Sequence, residues 1–255
     1  MALLRLQKAI VYGPVSSRRL GRSLGVNVLP FDYKLCSLNC VYCQYGWTEA
    51  CAVDASSHLS DLPSANDVAL ALRESLLGLK DEGVVPSYIT FSGNGEPTLH
   101  PRFGEIVDVV KKTRDELAPK ALVAILSNST TVGDESVRRA LERLDVRVMK
   151  LDCGEAGTFG LFNRPCPGVA LEKIVEGLLK LRRFSVQTLF TNLNSDERSL
   201  QRWIGVIKTL KPLDVQVYTL DRSAPLAELR PVGRDKLEEI ARRVFSETGV
   251  PAHVY

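Results

Sequence analysis

An alternation of strand-like and helix-like segments runs through most of the chain and narrows its fold more than any other feature. Short β-branched or apolar runs occur at 26–29, 88–91, 122–126, 146–151, 185–190 and 215–220. Between and after them, residues 64–82, 103–117, 134–143, 169–182, 196–210 and 234–248 repeat apolar side chains at helical spacing. Ser64 precedes the first of these helices as an N-cap candidate. Six β–α units joined by short connections predict a parallel sheet with right-handed crossovers. Six are too few for a closed eight-fold barrel. The expectation is therefore a single α/β domain built as a partial (β/α)6 TIM-like barrel over residues 26–255, with residues 1–25 as an N-terminal entry segment packed on it. A doubly wound open sheet is the alternative that periodicity leaves open. Both architectures place ligands at the carboxyl ends of the strands.

At 255 residues the chain can bury a large core without disulfide staples. Lys+Arg 33 against Asp+Glu 30 gives a net charge of +3, well short of the footprint of a dedicated nucleic-acid binder. No apolar run reaches the ~18 residues of a membrane helix. The apolar start is broken by Arg5 and Lys8, so no signal peptide is read and a cytoplasmic location is expected. In that compartment six cysteines are not read as three disulfides.

Three of the cysteines fall in one loop after the first strand: Cys36, Cys40 and Cys43, spaced C-x3-C-x2-C. Structural zinc sites close with four protein ligands, often in two separated pairs, and no histidine stands near this loop. Three thiolates suit three irons of a 4Fe–4S cluster, leaving the fourth iron open. A zinc site that borrows a distant ligand is the bland alternative. Ser92-Gly93-Asn94-Gly95-Glu96-Pro97 follows the next strand; its glycines let the backbone approach a ligand, and a simple turn is the competing reading. Ser127, Asn128 and Asp152 follow later strands, where they can bind a ligand or merely form turns and caps. Lys150 alternates with Asp152, so the two can pair. Gln187 is either a barrel-facing ligand or a satisfied core amide.

The C-x3-C-x-aromatic-C form, with Tyr42 as the aromatic, resembles the radical S-adenosylmethionine (SAM) superfamily. The segments at 12–25, 91–98, 150–152, 163–165 and 218–222 are similar to a subgroup allied to wyosine-type tRNA synthetases. The resemblance implies a 4Fe–4S cluster on Cys36, Cys40 and Cys43 whose open iron is chelated by SAM. It implies reductive cleavage of SAM to a 5′-deoxyadenosyl radical that abstracts a substrate hydrogen. It implies that Glu96 meets the SAM ammonium. SAM contacts are further expected from Tyr42, Ser92, Gly93, Asn94, Gly95, Ser127, Asn128, Asp152, Gln187 and Tyr218.

Arg18, Arg19 and Arg22 in a glycine-flanked loop, with Arg164 and Arg222 on ligand-side loops, are the substrate-binding candidates; a solvated basic turn is the alternative for the first three. Cys51, Cys153 and Cys166 all fall on ligand-side loops. They can hold a second iron–sulfur cluster, as in members that insert sulfur, or simply pack as small apolar side chains. The expected substrate is a small metabolite or nucleotide, served by a reducing partner such as flavodoxin or ferredoxin, with no membrane partner. Modification of a tRNA base, favoured by the wyosine-like motifs, is the second reading, and a non-catalytic iron–sulfur or zinc protein the third.

Overall fold

The computed structural model describes residues 3–17 and 19–255. It opens with an antiparallel hairpin of β1 (Val11–Ser17) and β2 (Gly21–Val26). Two-residue strands β3 (Leu35–Cys36) and β4 (Ala50–Cys51) then form a separate small ladder. The repeating part follows as α1 (Ala65–Asp81), β5 (Tyr88–Phe91), α2 (Phe103–Leu117), β6 (Leu122–Ser127), α3 (Glu135–Glu142) and β7 (Val146–Lys150). It continues through α4 (Ala156–Phe162), α5 (Leu171–Leu178), β8 (Ser185–Phe190), α6 (Glu197–Leu210), β9 (Val215–Thr219), α7 (Arg234–Thr248) and β10 (Ala252–Val254).

The main sheet has eight strands in the order β1-β2-β5-β6-β7-β8-β9-β10, and every neighbouring pair except β1–β2 is parallel. This monotonic order decides between the two architectures. A doubly wound sheet reverses its strand order at a switch point, and there is none here. Right-handed crossovers then put the helices on one side, where α1 packs on α2, α2 on α3 and α6 on α7. The result is a partial (β/α)6 barrel with β1 and β10 as its two edges.

Local chemistry explains the element ends. Ser64 and Asp67 form a reciprocal capping box at the start of α1, whose buried stripe is Val68, Leu72, Leu76 and Leu79. Gly249 ends α7 in the left-handed conformation at φ 74°. All six residues of β8 are buried, as expected of a central parallel strand covered on both faces. Trp203 on α6 packs edge-on to Phe190 at 5.0 Å, and its indole N–H donates to Leu151 O at 3.0 Å.

Besides adding β1, β3, β4 and β10, for which the pattern shows no strand, the structure differs from it in three places. The first parallel strand is Gly21–Val26 rather than 26–29, so the expected boundary between an entry segment and the barrel falls within β2. Gly25 disguises that strand, and the hairpin needs it: a Cβ there would lie 2.2 Å from the Tyr12 ring, which rests directly on the backbone. The segment after β7 holds α4, a seven-residue helix containing two glycines, where the pattern predicts only a loop. The helix expected over 169–182 is the shorter α5. Among the described residues no helix is long and apolar enough to cross a membrane.

Candidate functional site

The cysteine loop is fixed to the sheet through its first strand. Leu35 bridges to Gly95; Leu35 N donates to Asn94 O, and Glu96 N donates to Leu35 O. Gly95 sits at φ +145°, and a Cβ on it would lie 1.7 Å from Leu35 O. The glycines after β5 therefore let the cysteine loop dock against the backbone.

Cys36 and Cys40 are buried and Cys43 is partly exposed; all three line one cavity at the carboxyl end of the sheet. Asn128 Nδ2 donates to Cys36 Sγ, and Asn163 Nδ2 to Cys40 Sγ, each at 3.4 Å. Burial pushes the Cys36 thiol up to about 12 and the Cys40 thiol up to about 11. As bare groups these sulfurs stay protonated, and a bound cationic centre would reverse that cost. Lys34, only 2 % exposed, lies beside them and donates to Gly46 O at 2.8 Å. The donor set is three soft sulfurs with amide N–H donors and a buried ammonium. It fits an iron–sulfur cluster better than a closed four-ligand zinc site. Among the described residues, no group of three or more His, Cys, Asp or Glu already stands in metal-holding geometry.

The candidates for SAM contact divide into two sets. Tyr42, Gly93, Gly95, Glu96, Ser127, Asn128 and Gln187 line the cysteine cavity. A larger cavity of about 590 Å³ shares Tyr42, Gly93, Gly95 and Gln187 with it and adds Ser92 and Tyr218. Asn94 and Asp152 line neither cavity.

Asn94 is fully buried and faces the N-terminal segment: its Oδ1 accepts from Gln7 N at 2.7 Å, and its Nδ2 donates to Gln7 O and Pro30 O. Asp152 is a hub. Tyr42 OH and Asn163 Nδ2 donate to its Oδ2, Leu189 N donates to its Oδ1, and Lys150 Nζ lies 3.2 Å from Oδ1. With its side chain at 0 % exposure and both oxygens engaged, Asp152 has no free face for a cofactor.

Glu96 is also heavily engaged. Thr98 N, Thr98 Oγ1 and Ser127 Oγ donate to its Oε1, and Asn128 N donates to Oε2. Burial raises its pKa despite these donors. Only Oε2 retains accepting capacity toward the cavity, so Glu96 organises the loop as much as it offers charge.

Lys150 projects into the barrel. Burial works against its ammonium, but Asp152 and Tyr218 more than offset this and hold its pKa above the ordinary lysine value. Its Nζ donates to Tyr218 OH at 2.8 Å and lies 4.8 Å from the centre of the Tyr42 ring. Tyr218 OH in turn donates to Gln187 Oε1 at 3.3 Å. Gln187 thus both faces the cavity and is satisfied within the core.

The arginines divide as well. Arg19 and Arg222 line the larger cavity. Arg18 lies outside the described residues. Arg22 is the second residue of β2, beside Ser87 at the amino end of the parallel strands, and is exposed there, away from the cysteines. Arg164 lies over the Trp47 ring at 4.8 Å and lines neither cavity. Neither Arg22 nor Arg164 therefore stands where a substrate ligand is expected; strand direction and a stacking partner place them elsewhere.

Nor are the spare cysteines gathered into a second set of three. Cys51 and Cys166 are joined as a disulfide, and Cys153 is buried separately with its thiol toward Asn163 Oδ1. The β3–β4 register places Cys51 beside Cys36, which explains the pairing: Cys166 N donates to Ser37 O on the same loop.

Sequence reasoning missed Lys34 and gave Asn163 no role at the cysteines. Asn163 could have been found because it precedes Arg164-Pro165 in a motif already singled out. Lys34 carries no signal beyond standing two residues before Cys36.

Comparison with known proteins places these features in context. A model of the radical SAM superfamily matches residues 32–213. A UPF0026 protein of Synechocystis is 33% identical over 266 residues, covering 94% of this chain and 94% of that protein. A Brachyspira hyodysenteriae protein named GTPase Obg is 30% identical over 247 residues, covering 94% of this chain; the chain spans only 34% of that relative's length. Among solved structures, a radical SAM methyltransferase from Sphaerobacter thermophilus superposes with a TM-score of 0.65 at 13% identity, covering 91% of this chain and 65% of that one. TYW1 with a lysine-pyruvate adduct bound superposes at 0.62 and 14% identity, covering 89% of this chain and 74% of that one. At these identities the superpositions speak to the fold alone.

Proposed function

Because this chain belongs to the radical SAM superfamily, and within it to the UPF0026 proteins, we propose that this radical SAM enzyme holds a 4Fe–4S cluster on Cys36, Cys40 and Cys43 and acts on a small metabolite or nucleotide. When bound, such a cluster supplies the electron that splits SAM into methionine and a 5′-deoxyadenosyl radical, which takes a hydrogen from the substrate.

The chain's own residues prepare that chemistry. Asn128 and Asn163 direct N–H groups at two of the sulfurs, and Lys34 supplies a buried positive charge beside them. Leu38 and Leu126 give the cysteine cavity part of its apolar wall. Glu96, through Oε2, and the backbone at Gly93 and Gly95 are the groups assigned to the SAM ammonium and its neighbourhood. Tyr42 is held by Asp152 at the junction of the two cavities.

One observation carries this reading: three sulfurs from one loop line one cavity that shares lining residues with a larger one inside the barrel. Modification of a tRNA base is the second reading, favoured by the wyosine-like motifs at 12–25, 91–98, 150–152, 163–165 and 218–222. Sulfur insertion through a second cluster would require Cys51, Cys153 and Cys166 together, and the Cys51–Cys166 bond argues against it. The electron would come from a flavodoxin- or ferredoxin-type partner.

Anaerobic reconstitution tests the cluster assignment. Wild type should bind about four irons per chain, and SAM should alter the electron paramagnetic resonance spectrum of the reduced protein. Iron content unchanged in a Cys36→Ala, Cys40→Ala, Cys43→Ala triple variant would remove these ligands. Turnover of free nucleotides rather than tRNA separates the two substrate readings.

A further inference from the structure

The larger cavity has a charge pattern that the cluster chemistry does not use. Among the described residues its lining includes Arg19, Arg222 and Lys150 but no aspartate, glutamate or histidine. Lys150 is already neutralised by Asp152. Arg19 lies with its guanidinium 4.7 Å from the centre of the Tyr218 ring, and neither it nor Arg222 has a carboxylate at ion-pair distance among the described residues.

The two guanidiniums come from opposite ends of the sheet. Arg19 belongs to the β1–β2 turn, and Arg222 follows β9. Val15 of edge strand β1 also lines this cavity and is 49% exposed, so this side is its mouth. Cys43 and Gly93 mark the other end, which is continuous with the cysteine cavity. The tyrosine rings along the wall offer flat, weakly polar surface.

An unpaired guanidinium in a partly enclosed cavity attracts anions more strongly than one in open water, and its planar fork suits phosphate or carboxylate oxygens. Two of them, with no acid among the described lining residues, favour a ligand with an anionic end.

We propose that the substrate carries a phosphate or carboxylate group that Arg19 and Arg222 hold at the barrel mouth. The rest of the molecule then lies along the Tyr218 side of the cavity, and the position that loses hydrogen points toward Cys43 and Gly93. This rests on the radical SAM reading above and gives that reading a substrate class and a direction of entry.

Two matched pairs of probes test it on the anaerobically reconstituted full chain: AMP against adenosine, and indole-3-acetate against indole, measured by isothermal titration calorimetry. In at least one pair the anion should bind at least about tenfold more tightly than its neutral partner, consistent with about 1.4 kcal/mol. Arg19→Gln and Arg222→Gln should each reduce that preference severalfold, and the first pair to respond tells phosphate from carboxylate. Arg242→Gln, on the exposed face of α7, should leave the preference intact. No preference in either pair would overturn the proposal, as would an equal loss in Arg242→Gln, because net charge alone would then explain the binding. Wild-type iron content and 5′-deoxyadenosine formation, measured on the same preparation, report separately on the radical SAM reading.

Discussion

Replacing Asp152 by asparagine separates two roles for this residue, because a hub and a SAM ligand fail differently. In the native site Tyr42 OH, Asn163 Nδ2, Leu189 N and Lys150 Nζ all converge on the carboxylate. Asparagine keeps the volume but has only one accepting oxygen. Its amide hydrogens would face the donors of Tyr42 and Asn163, and Lys150 would lose its counter-charge while only 16% exposed. Removing one partner of a buried ion pair costs about 3–5 kcal/mol. For a domain of this size about 1 kcal/mol corresponds to roughly 2–4 °C in Tm, so Asp152→Asn should melt about 6–20 °C lower. Adding Lys150→Met should recover part of the loss, because the orphaned ammonium is then gone. Thermal melts by circular dichroism, with SAM affinity from equilibrium dialysis, provide the readout. A Tm within about 3 °C of wild type, combined with a tenfold or greater loss of SAM affinity, would refute the hub and restore Asp152 as a direct ligand.

Glu96→Gln should change the pH dependence of stability. Burial raises the folded pKa of Glu96 above its ordinary value near 4.5, so between that value and the raised one the folded state holds a proton the unfolded chain has released. Stability contributed by this group therefore falls as pH rises across that window. The glutamine variant should show a flatter urea-denaturation profile there; an identical slope in both proteins would contradict the assignment. Gly95→Ala should fail to take up iron on reconstitution, since its Cβ would collide with Leu35 O; wild-type iron in that variant would show that the loop docks otherwise. The denatured, unreduced apo-chain should alkylate at Cys36, Cys40, Cys43 and Cys153 only, with Cys51 and Cys166 reacting after reductant is added. Modification of all the cysteines without reductant would dismiss the disulfide.

Much of the barrel was legible because its helices and buried strands obey simple periods. The helices over 103–117 and 234–248 match the pattern to the residue, and Ser64 caps where its side chain predicts. The β1–β2 hairpin was not legible, because Gly21 and Gly25 interrupt the strand pattern and the need for Gly25 is visible only once the Tyr12 ring is placed on it. Strand order also lay beyond periodicity, since a sequence shows that strands alternate with helices but not which neighbours they pair with.

At the site, residue types indicate a place more readily than a role. The spacing of the three clustered cysteines marks a soft-metal site, and the family resemblance is what turns that into an expected 4Fe–4S cluster. Asp152 is a candidate ligand because a short polar side chain at a strand end suits either a ligand or the backbone, and Asn94 is one because it stands in the glycine loop of the family resemblance. Burial and partners decide for the fold in both cases. Arg22 and Arg164 show the same limit: charge is readable from sequence, but direction is not.

The most direct test of the central claim is 5′-deoxyadenosine formation from SAM by the anaerobically reduced, reconstituted chain. Wild type should form it together with methionine. The Cys36→Ala, Cys40→Ala, Cys43→Ala triple variant, checked as folded by circular dichroism, should form none above the protein-free background. Equal formation by both proteins would contradict the account, because reductive cleavage would then not depend on the three sulfurs that line the cavity.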